Sequence, residues 1–150
     1  MPAPGRDEDL VIRQRVTAAI IEEDGRVFMA RRGPGRHLSG KWEVPGGKVE
    51  SGETPEQALE RELAEELGIA CEVGEFLCAA VFEGTEPGLE LLAYRVRRGP
   101  GQIELREHVE ARWVTPGDLV GMDLPESDRL VVERLYGTGS GGRDVRPPER

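Results

Sequence analysis

Between Gly47 and Ile69 the chain reads GKVESGETPEQALERELAEELGI, and this stretch narrows the possible folds more than any other. It follows a Gly-rich turn, Pro45-Gly46-Gly47-Lys48, and carries a helix whose two ends are written into the sequence. Thr54 stands where an N-cap belongs, Pro55 at the first helical position, and Gln57 completes a capping box. Gly68 is the expected stop. Leu59, Leu63 and Leu67 recur every four residues, which predicts one buried stripe. Glu62, Glu65 and Glu66 follow Arg61, and positions i, i+3 and i+4 of a helix share a face. Three carboxylates on one face repel each other, and a stable fold keeps them together when a cation compensates. Hard divalent cations take oxygen ligands of this kind. A Glu-rich helix is more often just a solvated face. Here the preceding Gly-rich turn and the further acid Glu53 argue for chemistry.

The whole pattern resembles the signature of the Nudix hydrolases. That signature is Gly, five residues, Glu, seven residues, Arg-Glu, an aliphatic residue, any residue, Glu-Glu, any residue, Gly and an aliphatic residue. Gly47, Glu53, Arg61, Glu62, Leu63, Glu65, Glu66, Gly68 and Ile69 fill its defined positions in order. The resemblance implies an α/β fold, the Nudix α/β/α sandwich, with a mixed β-sheet and two main helices. It implies a pyrophosphohydrolase acting on a phosphoanhydride bond, with Mg2+ as cofactor and Mn2+ as the alternative. Carried onto matching positions, the metal would be held by Glu62, Glu65, Glu66 and the backbone carbonyl of Gly46. Glu62 would activate water, with Glu107, in the later segment Arg106 to Trp113, as the rival base. Glu53 and Arg61 would form a buried ionic clamp that orients the loop.

The loop before the box has a similar correspondence to the MutT-type nucleoside triphosphate branch. Arg32 and His37 match positions that touch phosphates there, and Lys48 follows the two glycines. The base is expected at Leu124-Pro125-Glu126-Ser127-Asp128. The MutT-type branch has an Asn that reads an oxidised purine where this chain has Asp128. An Asn offers a donor and an acceptor, whereas an ionised Asp accepts only. An acceptor suits the exocyclic amine of cytosine, by the pairing logic used in nucleic-acid grooves. It also suits the N–H groups of a guanine-type base, and Asp128 could instead help cap the last helix.

The implied function is hydrolysis of a nucleoside triphosphate, ordinary or oxidised, to monophosphate and pyrophosphate, with pool sanitising as one use. Two alternatives stand beside it. One is a Nudix hydrolase of another nucleoside diphosphate compound, such as ADP-ribose, a nucleotide sugar or a dinucleoside polyphosphate. The other is a non-catalytic nucleotide sensor.

Composition bounds these readings. The 150 residues suit one domain with a real core. A net charge of −9 argues against binding a nucleic-acid polymer, which calls for a basic face. The charge is uneven. Arg26, Arg31, Arg32, Arg36, His37 and Lys41 form a basic segment without an acid, and eight glutamates follow between Glu43 and Glu66. A polyphosphate ester with bound metal needs both signs, since cations hold phosphate oxygens and carboxylates hold metals. The expected partner is therefore a small-molecule nucleotide. No apolar run is long enough for a membrane span, and residues 1–9 lack a signal-peptide pattern, so the cytoplasm is the expected compartment. Cys71 and Cys78 read as buried small hydrophobes. The oligomeric state is not legible.

Along the chain, residues 1–9 and the Gly- and Pro-rich tail 137–150 are expected to be disordered, leaving 10–136 as the domain. Arg13 to Glu22 and Val27 to Arg31 read as a hairpin around Asp24-Gly25. Residues 33–41 read as a loop and 42–44 as a short extended piece. Strands follow at 71–83, 89–97 and 109–114. A helical turn begins at Pro116, and a last helix spans 127–136 with Ser127 as its cap.

Overall fold

The computed structural model describes residues 12–35, 39–82 and 88–137. The expectations for residues 1–9 and the tail from 138 onward, and the predicted phosphate contact His37, lie outside them. The elements run β1 (Ile12–Glu23), β2 (Arg26–Arg32), β3 (Trp42–Glu43), α1 (Pro55–Leu67), β4 (Cys71–Phe82), β5 (Gly88–Arg98), β6 (His108–Val114), α2 (Pro116–Leu119) and α3 (Glu126–Tyr136).

β1 organises the molecule. It is apolar from Ala18 to Ile21, so both its faces must be covered. Ala18 and Ile20 enter one core with Val27, Met29, Leu91 and α3. Ala19 and Ile21 enter a second core with Phe28, Ala30, Leu92 and α1. Helices on opposite faces of one sheet give the expected α/β/α sandwich. β1 lies parallel to β5, and β5 pairs antiparallel with β4, so the sheet is mixed.

α1 forms as its sequence dictates. Thr54 caps Gln57 N, and Gln57 returns a bond to Thr54 N. Gly68 closes the helix at φ 71°, a left-handed conformation that costs glycine little. Leu59, Leu63 and Leu67 are fully buried. α3 differs from expectation at its start. It begins at Glu126 with Pro125 in the N-cap position, and no side chain caps it. Ser127 instead donates to Asp128, and Asp128 accepts from Val44 N at 2.9 Å. The Asp128 carboxylate is committed to a distant loop, so it does not serve its own helix. The two cysteines are half-buried, and desolvation pushes both thiols up. Among the described residues, no helix is long and apolar enough to cross a membrane.

One irregularity creates space for a site. Asp24 and Gly25 both have positive φ, 54° and 76°, as a tight hairpin with the sheet's twist requires. Yet β1 and β2 pair only at Glu22–Val27 and Glu23–Arg26, and then part. The chain after β2 fills the gap. Trp42 and Glu43 pair with β2. Pro45 to Val49 then run along β1, through Ala19 N to Pro45 O at 2.8 Å, Thr17 N to Gly47 O at 2.7 Å and Val49 N to Arg15 O at 2.9 Å.

Candidate active site

The two glycines of this wedge are there because nothing else fits. Gly46 has φ 152°, and a Cβ on it would lie 2.0 Å from the Thr17 carbonyl oxygen. A Cβ on Gly47 would lie 2.2 Å from Cδ of Glu62. The absence of side chains brings the turn directly onto the acidic face of α1. Gly46 N donates to Glu66 Oε1 at 3.4 Å.

Glu62 and Glu66 line a cleft of about 440 Å³, together with Glu43, Glu107, Arg32, Lys48 and Asp128. Glu66 is buried at 6% exposure. Burial, with the carboxylates of Glu43, Glu62 and Glu107, pushes its carboxyl up to about 9, against the pull of the Gly46 N–H. Burial also raises Glu62, partly offset by Arg61. Glu65 stands apart. It is 54% exposed, lies 3.6 Å from Arg61 and does not line the cleft.

These observations test whether a divalent cation fits. The donors are all oxygens, they are crowded with like charge, and two of them resist ionisation where they stand. That is the donor set a hard cation prefers, and its charge would offset the repulsion. Among the described residues no three acidic or imidazole side chains already converge on one point.

Arg61 pairs with Glu53. Its Nε and Nη2 reach the two Glu53 oxygens at 2.6 and 3.0 Å, its Nη1 reaches Glu62 at 3.0 Å, and Nη2 also donates to Lys48 O at 3.1 Å. The forked geometry holds the Glu53 carboxyl down at about 2, chiefly through the Arg61 bond. Arg61 and Glu53 are 27% and 20% exposed, so the clamp is half-buried rather than buried. It ties the turn to α1 and steers Glu62.

The same cleft holds Glu43 and His108, which the sequence does not announce. Arg32, expected on phosphate, bonds Glu43 at 2.6 Å. Glu43 also meets His108 Nε2 at 2.7 Å, and the His108 ring is buried with no hydrogen-bond partner at Nδ1. In the sequence Glu43 counts only as one acid among eight. Its place in a two-residue strand between β2 and the wedge makes it central. Glu107 reaches the cleft through a strap: Glu104 N donates to Leu67 O at 2.8 Å and Arg106 N to Glu66 O at 3.0 Å. These bonds satisfy carbonyls that the end of α1 leaves open. Asp128, buried at 7% exposure, is pushed up to about 7 by desolvation and by Glu43. Lys48 is exposed at the rim. The structure thus gathers Gly46, Glu62, Glu66, Glu107, Arg32, Lys48 and Asp128 at one cleft. Glu65, Glu53 and Arg61 stand on its flank.

Comparison with known proteins agrees with this geometry. The NUDIX domain model matches residues 11–135. The chain is 38% identical over 118 residues to a CTP pyrophosphohydrolase of Escherichia coli, covering 79% of this chain and 87% of that protein. It is 33% identical over 122 residues to the 8-oxo-dGTP diphosphatase of the same organism, covering 81% and 95%. Among solved structures, the E. coli ORF135 protein superposes with a TM-score of 0.73 at 38% identity, covering 80% of this chain and 86% of that one. With the family model spanning most of its length and the box, clamp and cleft all in place, the chain belongs to the NUDIX domain family, as a MutT-like hydrolase of phosphoanhydride bonds.

Proposed function

We propose that this enzyme hydrolyses nucleoside triphosphates to the monophosphate and pyrophosphate, with Mg2+ as cofactor, and that cytosine nucleotides are its preferred substrates. The observation that carries the reading is one cleft lined by crowded carboxylates, by Arg32 and Lys48, and by a buried acceptor, Asp128. Glu62 and Glu66 would hold the cation with the Gly46 carbonyl, and Glu65 would join from the solvent side. The bound cation would supply neutralisation and orientation of the phosphate oxygens.

The chain's own groups do the rest. Arg32 and Lys48 receive phosphate oxygens, and His37 belongs to the same basic segment. Glu62 takes the proton of the attacking water, with Glu107 as the second candidate. Both line the cleft. Arg61 keeps Glu62 in place through its bond to Glu53. On the same cleft, Asp128 keeps acceptor capacity beyond its bonds to Val44 N and Ser127. Deprotonated, it suits the amine of cytosine, in keeping with the name of the CTP-hydrolysing relative.

The test is a panel assay with Mg2+ over the eight common ribo- and deoxyribonucleoside triphosphates, an oxidised dGTP, ADP-ribose and a nucleotide sugar. The expected result is monophosphate plus pyrophosphate, with the highest kcat/KM on a cytosine nucleotide. A preference for oxidised dGTP would remove the cytosine assignment and keep the rest. Turnover of ADP-ribose or the sugar nucleotide alone would overturn the reading.

A further inference from the structure

Thr17 is a polar residue in the apolar run from Val16 to Ile21, and it is buried at 1% exposure. A Val would satisfy the strand equally well, because β-branched residues pack well on pleated surfaces. The hydroxyl needs another explanation, and the ladder between β1 and the wedge supplies one. In an antiparallel pair, facing residues exchange two backbone bonds. Thr17 N gives its bond to Gly47 O at 2.7 Å. Gly47 N, however, donates to Thr17 Oγ1 at 3.4 Å, and the same hydroxyl donates to Gly47 O at 3.0 Å. The side chain stands in for the backbone acceptor, next to a point where Gly46 crosses too close to Thr17 for any side chain.

We infer that Thr17 is a positioning residue: its hydroxyl fixes the Gly46–Gly47 turn against which Glu62 and Glu66 are set. The chain of contacts is short. Gly46 N bonds Glu66, and Gly47 packs on the Glu62 carboxyl. Loosening the turn frees both carboxylates and the Gly46 carbonyl together. The inference rests on the proposed assignment of these groups as metal ligands. It needs no assumption about the base.

Thr17→Val keeps the shape and removes the hydroxyl, whereas Thr17→Ser keeps the hydroxyl. Each variant is compared with the wild-type full chain for Mn2+ binding by calorimetry, without nucleotide, and for kcat and KM on the best triphosphate of the panel. The melting temperature is the control for folding. The expected result for Thr17→Val is a near-normal melt, Mn2+ affinity weakened roughly tenfold to a hundredfold, and kcat lowered by a similar factor with KM little changed. Thr17→Ser should recover most of both. Wild-type Mn2+ affinity in Thr17→Val would overturn the inference, as would a Thr17→Ser variant as impaired as Thr17→Val. Should Thr17→Val not fold, Thr17→Cys replaces it. Its thiol is a poor hydrogen-bonding group, so loss of Mn2+ affinity relative to Thr17→Ser supports the role, and equal affinity overturns it. Failure of the triphosphate reading in the panel leaves the Mn2+ measurements intact. A wild-type protein that binds no Mn2+ overturns both the ligand assignment and the role of Thr17.

Discussion

Two regions along β1 use the same residue type in opposite ways. At the hairpin end, a cleft of about 410 Å³ is lined by Glu22, Glu23, Glu72, Arg95, Arg97 and Arg98. Its acids are matched to arginines. Arg98 holds Glu23 through two bonds at 2.8 and 2.9 Å, Arg95 holds Glu22 at 3.1 Å, and Arg97 pairs with Glu72. Near Thr17, Glu43, Glu62, Glu66 and Glu107 crowd one cleft, where Arg32 pairs with Glu43 and Arg61 with Glu62. The consequence shows in the carboxyls themselves. The bond from Arg98 holds Glu23 below its ordinary range, while burial and neighbouring acids push Glu66 up to about 9. Matched pairs hold a fold together. Buried acids crowded by like charge cost stability, and they persist where a ligand supplies the missing charge. The two clefts are similar in volume, and burial of an acid among like charges separates them.

The largest expected effect comes from neutralising the acid that burial and its neighbours disfavour most. Glu66→Gln should lower kcat by roughly 10²-fold or more, since losing even a hydrogen-bond partner of a metal ligand costs about 10–100-fold. It should also raise the stability of the metal-free protein, by about 1–3 kcal/mol, because the amide replaces a carboxyl that the fold resists ionising. Thermal melts in chelator and turnover in Mg2+ would read the two changes. A loss of stability would place Glu66 with the structural pairs and break the contrast.

Asp128→Asn is the intermediate case. Asp128 is buried beside Glu43, where it bonds Val44 N and Ser127. An Asn keeps an acceptor for Val44 N and adds a donor. The fold should survive, while preference for cytosine over guanine nucleotides should fall by about 1–3 kcal/mol, roughly fivefold to a hundredfold. Competition assays between the two triphosphates would show it. An unchanged ranking would make Asp128 a packing residue that anchors α3 to the wedge.

How much of this is legible in the sequence depends on distance along the chain. α1 can be read to the residue because its instructions are local: Thr54, Pro55, Gln57 and Gly68 act within a turn, and the leucines repeat at helical spacing. The hairpin follows from Asp24-Gly25 for the same reason. The pairing of residues 45–49 with β1 does not, since nothing near Pro45 says which strand it will meet. His108 finds Glu43 across 65 residues and Asp128 finds Val44 across 84, and no local pattern marks either pair. The basic segment before the box suggests phosphate contacts, but its Arg32 is also an ion-pair partner of Glu43. Composition identifies a charge and leaves its partner open. Thr17 carries one faint signal, a hydroxyl inside an apolar run. Its meaning appears once the wedge is seen to need an acceptor.

The smallest effect tests the other half of the contrast. Glu23 is 36% exposed, so its pair with Arg98 is screened by solvent and contributes about 1 kcal/mol or less. Glu23→Gln should lower the melting temperature by roughly 2–4 °C at most and leave kcat and KM as they are. The pH dependence follows from the direction of the shift. A carboxyl held below its ordinary value stabilises the fold above the unfolded value of about 4.3, and that stabilisation is lost as pH falls through the folded value. The gap between wild type and Glu23→Gln should therefore be full at neutral pH, begin to close below about pH 4, and narrow in high salt, where exposed pairs are screened. A gap that instead widened in acid would mean that Glu23 is disfavoured as a charge, like Glu66, and that the hairpin end is not the matched counterpart of the acidic cleft. A fall in kcat would break the contrast from the other side, because the two clefts share no lining residue and a purely structural pair at the hairpin end has no route to the proposed site.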